Sequence, residues 1–428
     1  MRAENRSHFS SSRSAISPPA NSLPAADTIW TWPADTDQRE GAMSLHEAQT
    51  SDFAPDWPAI IAVVLGVTAF SVAQGLTYPL ISLSLESRGV SAGMIGLNAM
   101  GFAAGLGVAT LLLGRLTRLG SADKLIIASL CGCSICLATL ASTSELPIWF
   151  IARFALGFFV SMVFMLGEAW LNTACPDRLR GRVSGLYGAG MCGGFAAGPL
   201  AIPLLGTSGG LGFALLAIYI ALVAFLTGLL TMGARTRPEP SSTRDLFAFF
   251  AKAPMLILMV LMFGFADIAA ISAMPVYFVK TGHSQAFAAL SVTALAIPTA
   301  LAQPFIGVLL DRLPRRRVAI SAAAVAATGY LLVPFLSSNV ALLLTFAFIG
   351  AASFALYTAA LTMLGEEYRG SMLVAGSAAF SLAYAAGSAA GSGATGALMN
   401  FIDPIAGPLG VGAVLVIFTL MFAAAGRR

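Results

Sequence analysis

The stretch "GVLLDRLPRRR", Gly307 to Arg317, packs five charged side chains into its last seven positions, between two long runs that hold almost none. The rest of the chain is strongly apolar. Of 428 residues, 10% are charged and 57% hydrophobic, with a mean hydropathy of +0.82, whereas a soluble domain carries roughly 25% charged residues. A cluster of arginines in such a sequence marks a place where the chain leaves the hydrocarbon, and the apolar runs beside it decide the fold.

Those runs number twelve, at about 58–84, 91–113, 125–143, 147–171, 183–205, 211–233, 253–279, 286–310, 318–337, 340–364, 372–397 and 404–426. Each is long enough, at about 1.5 Å per residue, to cross a hydrocarbon layer of about 30 Å. An all-α integral membrane protein of twelve transmembrane helices follows. With the N-terminus inside, the inward loops and the C-terminus carry seventeen Lys and Arg residues against Arg88 and Lys280 outside. The positive-inside rule then predicts a multi-pass protein of the bacterial plasma (inner) membrane with both termini cytoplasmic. A net charge of +4 does not indicate nucleic acid, because the basic residues are scattered between apolar runs rather than clustered on a soluble face.

Residues 1–55 differ in kind, being rich in Ser, Pro, Ala and acidic groups, with no apolar segment of a signal peptide. They read as a disordered tail. Met43 opens "MSLHEAQTSDFAPDW" just before the first run, so a translation start there would leave 1–42 untranslated. Cys131, Cys133 and Cys136 share one apolar run, Cys192 lies in another and Cys175 in a basic loop. They read as small packing residues rather than disulfides, and with no His or carboxylate in the same run no metal is expected.

The chain also repeats itself. "RG", thirteen residues and "FAAG", from Arg180 to Gly198, recur 189 positions later as "RG", thirteen residues and "YAAG", from Arg369 to Gly387, and "MLGE" at 165–168 returns at 363–366. The repeat predicts two pseudo-symmetric six-helix bundles, 56–233 and 253–428, joined by a cytoplasmic linker at 234–252. A solute site is expected at their interface near the membrane midplane.

Gly307-x-x-x-Asp311-Arg312-x-x-Arg315-Arg316 resembles the loop signature of the major facilitator superfamily, with Pro314 where the family usually has Gly. The matching loop of the first half is "GRLTRLGSADK", with Gly114, Arg118 and Gly120 in place and Thr117 where the family's Asp would stand. "RFALG", Arg153 to Gly157, is similar to the family's fourth-helix pattern, with Leu156 replacing Gln. In the fifth run, Gly185, Gly194, Gly198 and Pro199 resemble the motif associated with exporters that exchange solute for protons, though Ile202-Pro203 replaces its closing Gly-Gly. The resemblance covers about 56–426 and is strongest to bacterial permeases of largely unassigned substrate. It implies two halves rocking about a central site, with Asp311 latching an inner gate. On spacing alone, Gly190, Gly194 and Gly198 share one helix face and predict a close helix crossing, with Pro199 a point of bending.

A charge deep in the bilayer costs on the order of 2.5–3.5 kcal/mol on insertion scales, so each one asks for a reason. Asp267 lies mid-run, with no charge nearer in sequence than Lys252 and Lys280, and a carboxylate there can take up and release a proton. Arg153 stays charged and can bind an anionic solute, pair with a titrating carboxylate, or snorkel to the outer surface. Glu168 lies about 22 Å further along the same helix and, with Glu366, is expected at the inner gate, facing Arg118 and Arg315. Gln74 and Tyr78, one turn apart, with Asn98, Gln303 and Tyr357, are further candidates for the solute cavity. So few polar groups suit an amphipathic organic molecule better than a bare inorganic ion.

Together these features predict a monomeric secondary transporter that exports a small organic solute in exchange for protons and needs no cofactor. Proton-coupled uptake, or a sensor that has kept the fold and lost transport, are the rivals. An enzyme is not expected, because the only histidines, His8, His46 and His283, lie outside the apolar runs and no nucleophile has a His partner within them. No nucleotide-binding signature is present either.

Overall fold

The computed structural model describes residues 55–232 and 246–425, apart from 119, 208 and 369. The tail expected at 1–55 lies outside the described residues but for its last position, as does the linker up to residue 245. The short helix Leu246–Lys252 leads into the second half.

Twelve long helices follow one another: α1 (Trp57–Ser87), α2 (Ala92–Leu116), α3 (Ala122–Ser142), α4 (Leu146–Ala174), α5 (Asp177–Ala197, prolonged by Gly198–Ala201 and Ile202–Leu205), α6 (Leu211–Thr231), α7 (Pro254–Lys280), α8 (Gln285–Arg312), α9 (Arg315–Phe335), α10 (Asn339–Glu367), α11 (Gly370–Phe401) and α12 (Ala406–Ala424). All but α11 stand out among the described residues as long and apolar enough to cross a membrane. α11 spans 32 residues and is built largely of the small residues Gly, Ala and Ser. No strand occurs among the described residues.

Several helices overrun the apolar runs, because hydropathy marks the hydrocarbon whereas a helix continues until it is capped. Asp56 accepts a hydrogen bond from the Ala59 amide at 3.4 Å to start α1, and Ser284 caps α8 through the Phe287 amide at 3.1 Å. Each satisfies an amide left open at a helix start. Pro314 stands just ahead of α9, so Arg315, Arg316 and Arg317 form its first turn rather than a loop.

The packing repeats between halves. Contacts of α1 with α5, α2 with α4, and α3 with α4 and α6 recur as α7 with α11, α8 with α10, and α9 with α10 and α12. Backbone approaches fix the register. Gly75 of α1 lies against the Phe195 carbonyl of α5, and 189 positions on Gly264 of α7 lies against the Tyr384 carbonyl of α11, where an added Cβ would stand 2.6 Å from the oxygen. Likewise Gly157 of α4 meets the Phe102 carbonyl of α2, and Gly350 of α10 meets the Leu295 carbonyl of α8. Absent side chains allow such crossings, and dispersion between closely spaced backbones holds them.

Between the halves, α2 packs on α11, α5 on α8 and α1 on α7. At the end opposite the arginine-rich loops, the Oγ atoms of Ser82 and Ser272 are hydrogen-bonded at 3.0 Å, Thr207 Oγ1 donates to Gln285 Oε1 at 2.7 Å, and Thr293 Oγ1 donates to the Ala196 carbonyl at 3.0 Å. Toward the arginine-rich end α5 and α8 part. A Cβ on Gly185, Gly188 or Gly193 of α5, or on Gly307 of α8, would meet nothing within 4 Å. The molecule is thus closed at one end and open at the end that carries the basic loops.

Candidate solute and coupling site

Two charges flank the centre, one in each half. Arg153, in the second turn of α4, is 1% exposed. It does not snorkel to a surface. Its guanidinium carbon lies 4.7 Å from the centre of the Phe102 ring and 5.2 Å from that of Tyr78, and Nε and Nη1 have no hydrogen-bond partner. Gly157, one turn on, lets α4 approach α2 closely enough for Phe102 to reach it. Ring faces attract a desolvated cation by about 2 kcal/mol, and here they stand in for hydrogen bonds. Beside Arg153, a cavity lined by Gln74, Tyr78 and Cys133 has room for about one water molecule, too little for an organic solute.

Asp267 sits midway along α7. Its Oδ2 accepts a 2.8 Å hydrogen bond from the Tyr384 hydroxyl of α11. That partner is absent from the sequence reading, although Tyr384 opens the "YAAG" repeat and is the mate of Phe195. A π-helical turn, Ala269–Ala273, follows directly. Pro275 explains it, since proline has no amide to offer Ile271 and its ring crowds that carbonyl. Tyr330 of α9 donates to the Ala266 carbonyl at 2.5 Å, which steadies the turn before the carboxylate.

Tyr78 and Asp267 are repeat mates, 189 positions apart, and the structure brings them within electrostatic reach of each other. The Tyr78 hydroxyl lies within electrostatic reach of both Arg153 and Asp267, and it accepts a 3.4 Å hydrogen bond from Gln74 Nε2, as their spacing predicts. Arg153 makes no ion pair with Asp267, whose direct partner is Tyr384.

The other cavity candidates separate. Tyr357 of α10 is partly exposed, its ring 5.0 Å from Phe263 and 5.6 Å from Phe354. Gln303 is engaged in structure, donating to the Thr299 carbonyl at 3.1 Å and accepting from Thr358 at 2.8 Å, which ties α8 to α10. Asn98 is 1% exposed and its amide nitrogen has no partner, so it is buried rather than presented to a solute.

Glu168 departs from expectation. Its side chain is exposed, and its charge acts on the hydroxyls of Tyr187 in α5 and Tyr357 in the other half. It therefore faces the cleft between the halves and meets neither Arg118 nor Arg315. Nor is Glu366 its mate. The glycine crossings set a displacement of 193 between α4 and α10, whereas "MLGE" recurs after 198. Glu366 pairs at 2.5 Å with Arg315, one of the two partners expected for these acids, within its own half.

The expected inner latch is open in this conformation. Asp311 and Arg312 are exposed, and Asp311 makes no hydrogen bond or ion pair with a described residue. Arg316 bonds the Phe422 and Ala423 carbonyls and lies over the Phe422 ring, so the cluster ties α9 to α12. In the first-half loop Gly114 is half-buried, Arg118 is exposed, a Cβ added to Gly120 would stand 3.8 Å from Leu125, and the Thr117 hydroxyl donates to the Leu113 carbonyl at 3.1 Å. Along α5, Gly190, Gly194 and Gly198 pack on Thr68, Ser71 and Val72 of α1 as a seam, while Gly185 faces open space and does not belong to it. Pro199 is buried and lies at the start of the tight Gly198–Ala201 turn, after which α5 resumes as Ile202–Leu205.

Comparison with known proteins agrees with this geometry. The chain is 29% identical over 269 residues, 60% of its length and 67% of the relative's, to the uncharacterised MFS-type transporter YfkF of Bacillus subtilis (strain 168). Its fold superimposes with a TM-score of 0.70 on a bacterial homologue of the human lysosomal transporter Spinster in an inward-facing, occupied conformation, at 15% identity over 86% of this chain and 96% of that one. With the nucleoside transporter NupG the TM-score is 0.67, at 16% identity over 87% and 99% of the two chains. Residues 63–292 and 256–428 match the Major Facilitator Superfamily, and the chain belongs to that superfamily, a multi-pass membrane transporter rather than an enzyme.

Proposed function

We propose that the protein exports a small amphipathic organic solute in exchange for protons, by alternating exposure of the cleft between its halves. The observation that carries the proposal is Asp267, a carboxylate within an apolar helix, held by a neutral hydroxyl at 2.8 Å instead of by a cation. A fixed salt bridge would hold it permanently charged. A tyrosine hydroxyl tolerates both the charged and the protonated carboxyl, so the group is free to exchange a proton. Tyr78, in electrostatic reach of both charges, gives the first half and Arg153 a way to sense that exchange. The basic loops support a cytoplasmic placement of the open end and of both termini, in a bacterial plasma membrane.

The test is a pH-sensitive dye in energised inverted vesicles, with a panel of amphipathic compounds, comparing wild type with Asp267→Asn. Proton release on adding a compound, lost in the variant while the protein stays folded, is expected. An unchanged response in the variant removes Asp267 from coupling, and solute accumulation in right-side-out cells with proton entry makes the protein an importer.

A further inference from the structure

The cleft exposes its acids and hides its base. Glu168 is exposed to it and Asp267 is partly exposed, whereas Arg153 is 1% exposed behind two rings. Neither carboxylate is paired with a basic side chain among the described residues. Exposed cations at this end, Arg118, Arg182 and Arg312 among them, lie at the rim on the basic loops and the start of α5, and an anion passing them would meet two acidic positions.

Aromatic rings join the two acids. Tyr357 and Phe354 of α10 are partly exposed and back onto Phe263 of α7, with ring centres 5.0 and 5.6 Å away. Phe263 in turn lies 5.5 Å from the ring of Tyr384, whose hydroxyl holds Asp267. Tyr187 of α5, on the side of the first half, lies within electrostatic reach of Glu168. Rings of this kind present apolar area to a hydrophobic body and a negative face to a positive charge.

We infer that the solute is an organic cation, an ammonium or comparable onium carried on an apolar or aromatic body. Its charge is met by Glu168 at the entrance and by Asp267 at the centre, and its body lies along Tyr357 and Tyr384. Proton and solute then compete for the same two carboxylates, which makes exchange of one for the other a property of the site. The inference rests on the reading of the cleft as a transport site and supplies the class of solute that this reading leaves open.

The experiment uses the full chain in detergent and two radiolabelled ions of one shape and opposite charge, tetraphenylphosphonium and tetraphenylborate, in equilibrium dialysis against protein and against empty micelles. The phosphonium is expected to be retained roughly tenfold better than the borate. Glu168→Gln and Asp267→Asn are each expected to weaken phosphonium retention roughly tenfold, with the borate unaffected. Glu168→Asp, which keeps the charge, should retain binding and serves where Glu168→Gln fails to fold. Equal retention of both ions, preference for the borate, no retention above micelles, or indifference to both substitutions overturns the inference. The two readings can fail separately: selective phosphonium binding without proton-linked movement in vesicles removes coupled export and leaves the cation site, and proton-linked movement with no preference for the phosphonium does the reverse.

Discussion

Tyr78 and Asp267 occupy the same place in the two halves, yet their surroundings have become opposites. On the first side the position carries a ring, buried at 3% exposure, whose face lies toward a sealed guanidinium. On the second it carries a carboxylate, partly exposed, whose single direct partner is a hydroxyl. The scaffold beneath is the same in both, because Gly75 meets the Phe195 carbonyl as Gly264 meets that of Tyr384. Duplication has thus left the backbone crossings in place while the side chains that project from them took up different work. The first half holds a fixed charge out of reach, and the second presents a titratable one.

If the crossings are equivalent, breaking either should do equal harm, and this is the largest effect expected. Gly75→Val and Gly264→Val each force a side chain into a facing carbonyl, an overpacking that costs about 1–3 kcal/mol and more where backbones must separate. Both variants should lose monodisperse protein on size exclusion to the same degree. A well-folded Gly75→Val beside a collapsed Gly264→Val would show that the halves share a pattern but not a load.

The second prediction separates the two charges. Arg153→Met replaces a buried cation that has no hydrogen bonds at Nε and Nη1 by an apolar chain of similar length, a change often neutral or stabilising. Its thermal midpoint in detergent should equal or exceed the wild type's, while transport falls at every pH. Asp267→Asn should also fold, but what it loses is the dependence of transport on pH. Should Arg153→Met keep full transport, the sealed charge is structural only and the asymmetry of the halves has no functional meaning.

Which parts of this were legible beforehand follows from physics that acts locally. Run length marks the twelve helices, because the bilayer imposes a minimum length on each segment separately. Asp267, Arg153 and the Gln74–Tyr78 pair stand out in the sequence for the same reason, each being costly or periodic within one helix. What escaped depends on how helices meet. Tyr384 is the partner of Asp267 only because Gly264 brings α11 against α7, and Glu168 enters the cleft only because the α4 register is set by Gly157 and not by the "MLGE" echo. The pattern around Asp311 describes a latch in a closed gate, whereas the structure is open at that end.

A smaller effect tests the hydroxyl of Tyr384. Tyr384→Phe keeps the ring against Phe263 and removes the donor to Asp267. Transport should persist with its pH midpoint displaced by about one unit, the size expected from one hydrogen bond to a charged group. A profile superimposable on the wild type's would mean that Asp267 does not titrate in the cycle, and the contrast with Tyr78 would lose its point.

The smallest effect belongs to Arg315, where the sequence pattern is strongest and the structure least demanding. Its bond to Glu366 is short, at 2.5 Å, but the two side chains are 33% and 48% exposed, and solvent screening leaves such pairs about 0–1 kcal/mol. Both ends also belong to the second half, so the pair neither forms nor breaks as the halves rock. Arg315→Gln should therefore leave the transport rate unchanged and the thermal midpoint nearly so. Asp311→Asn is the informative contrast, since Asp311 is without a described partner here and can gain one only when the basic-loop end closes. It should slow transport without altering the stability of this open form. A transport loss in Arg315→Gln as deep as that of Arg153→Met would mean that the α9 and α10 ends move against each other during the cycle, and the halves could no longer be treated as rigid bodies.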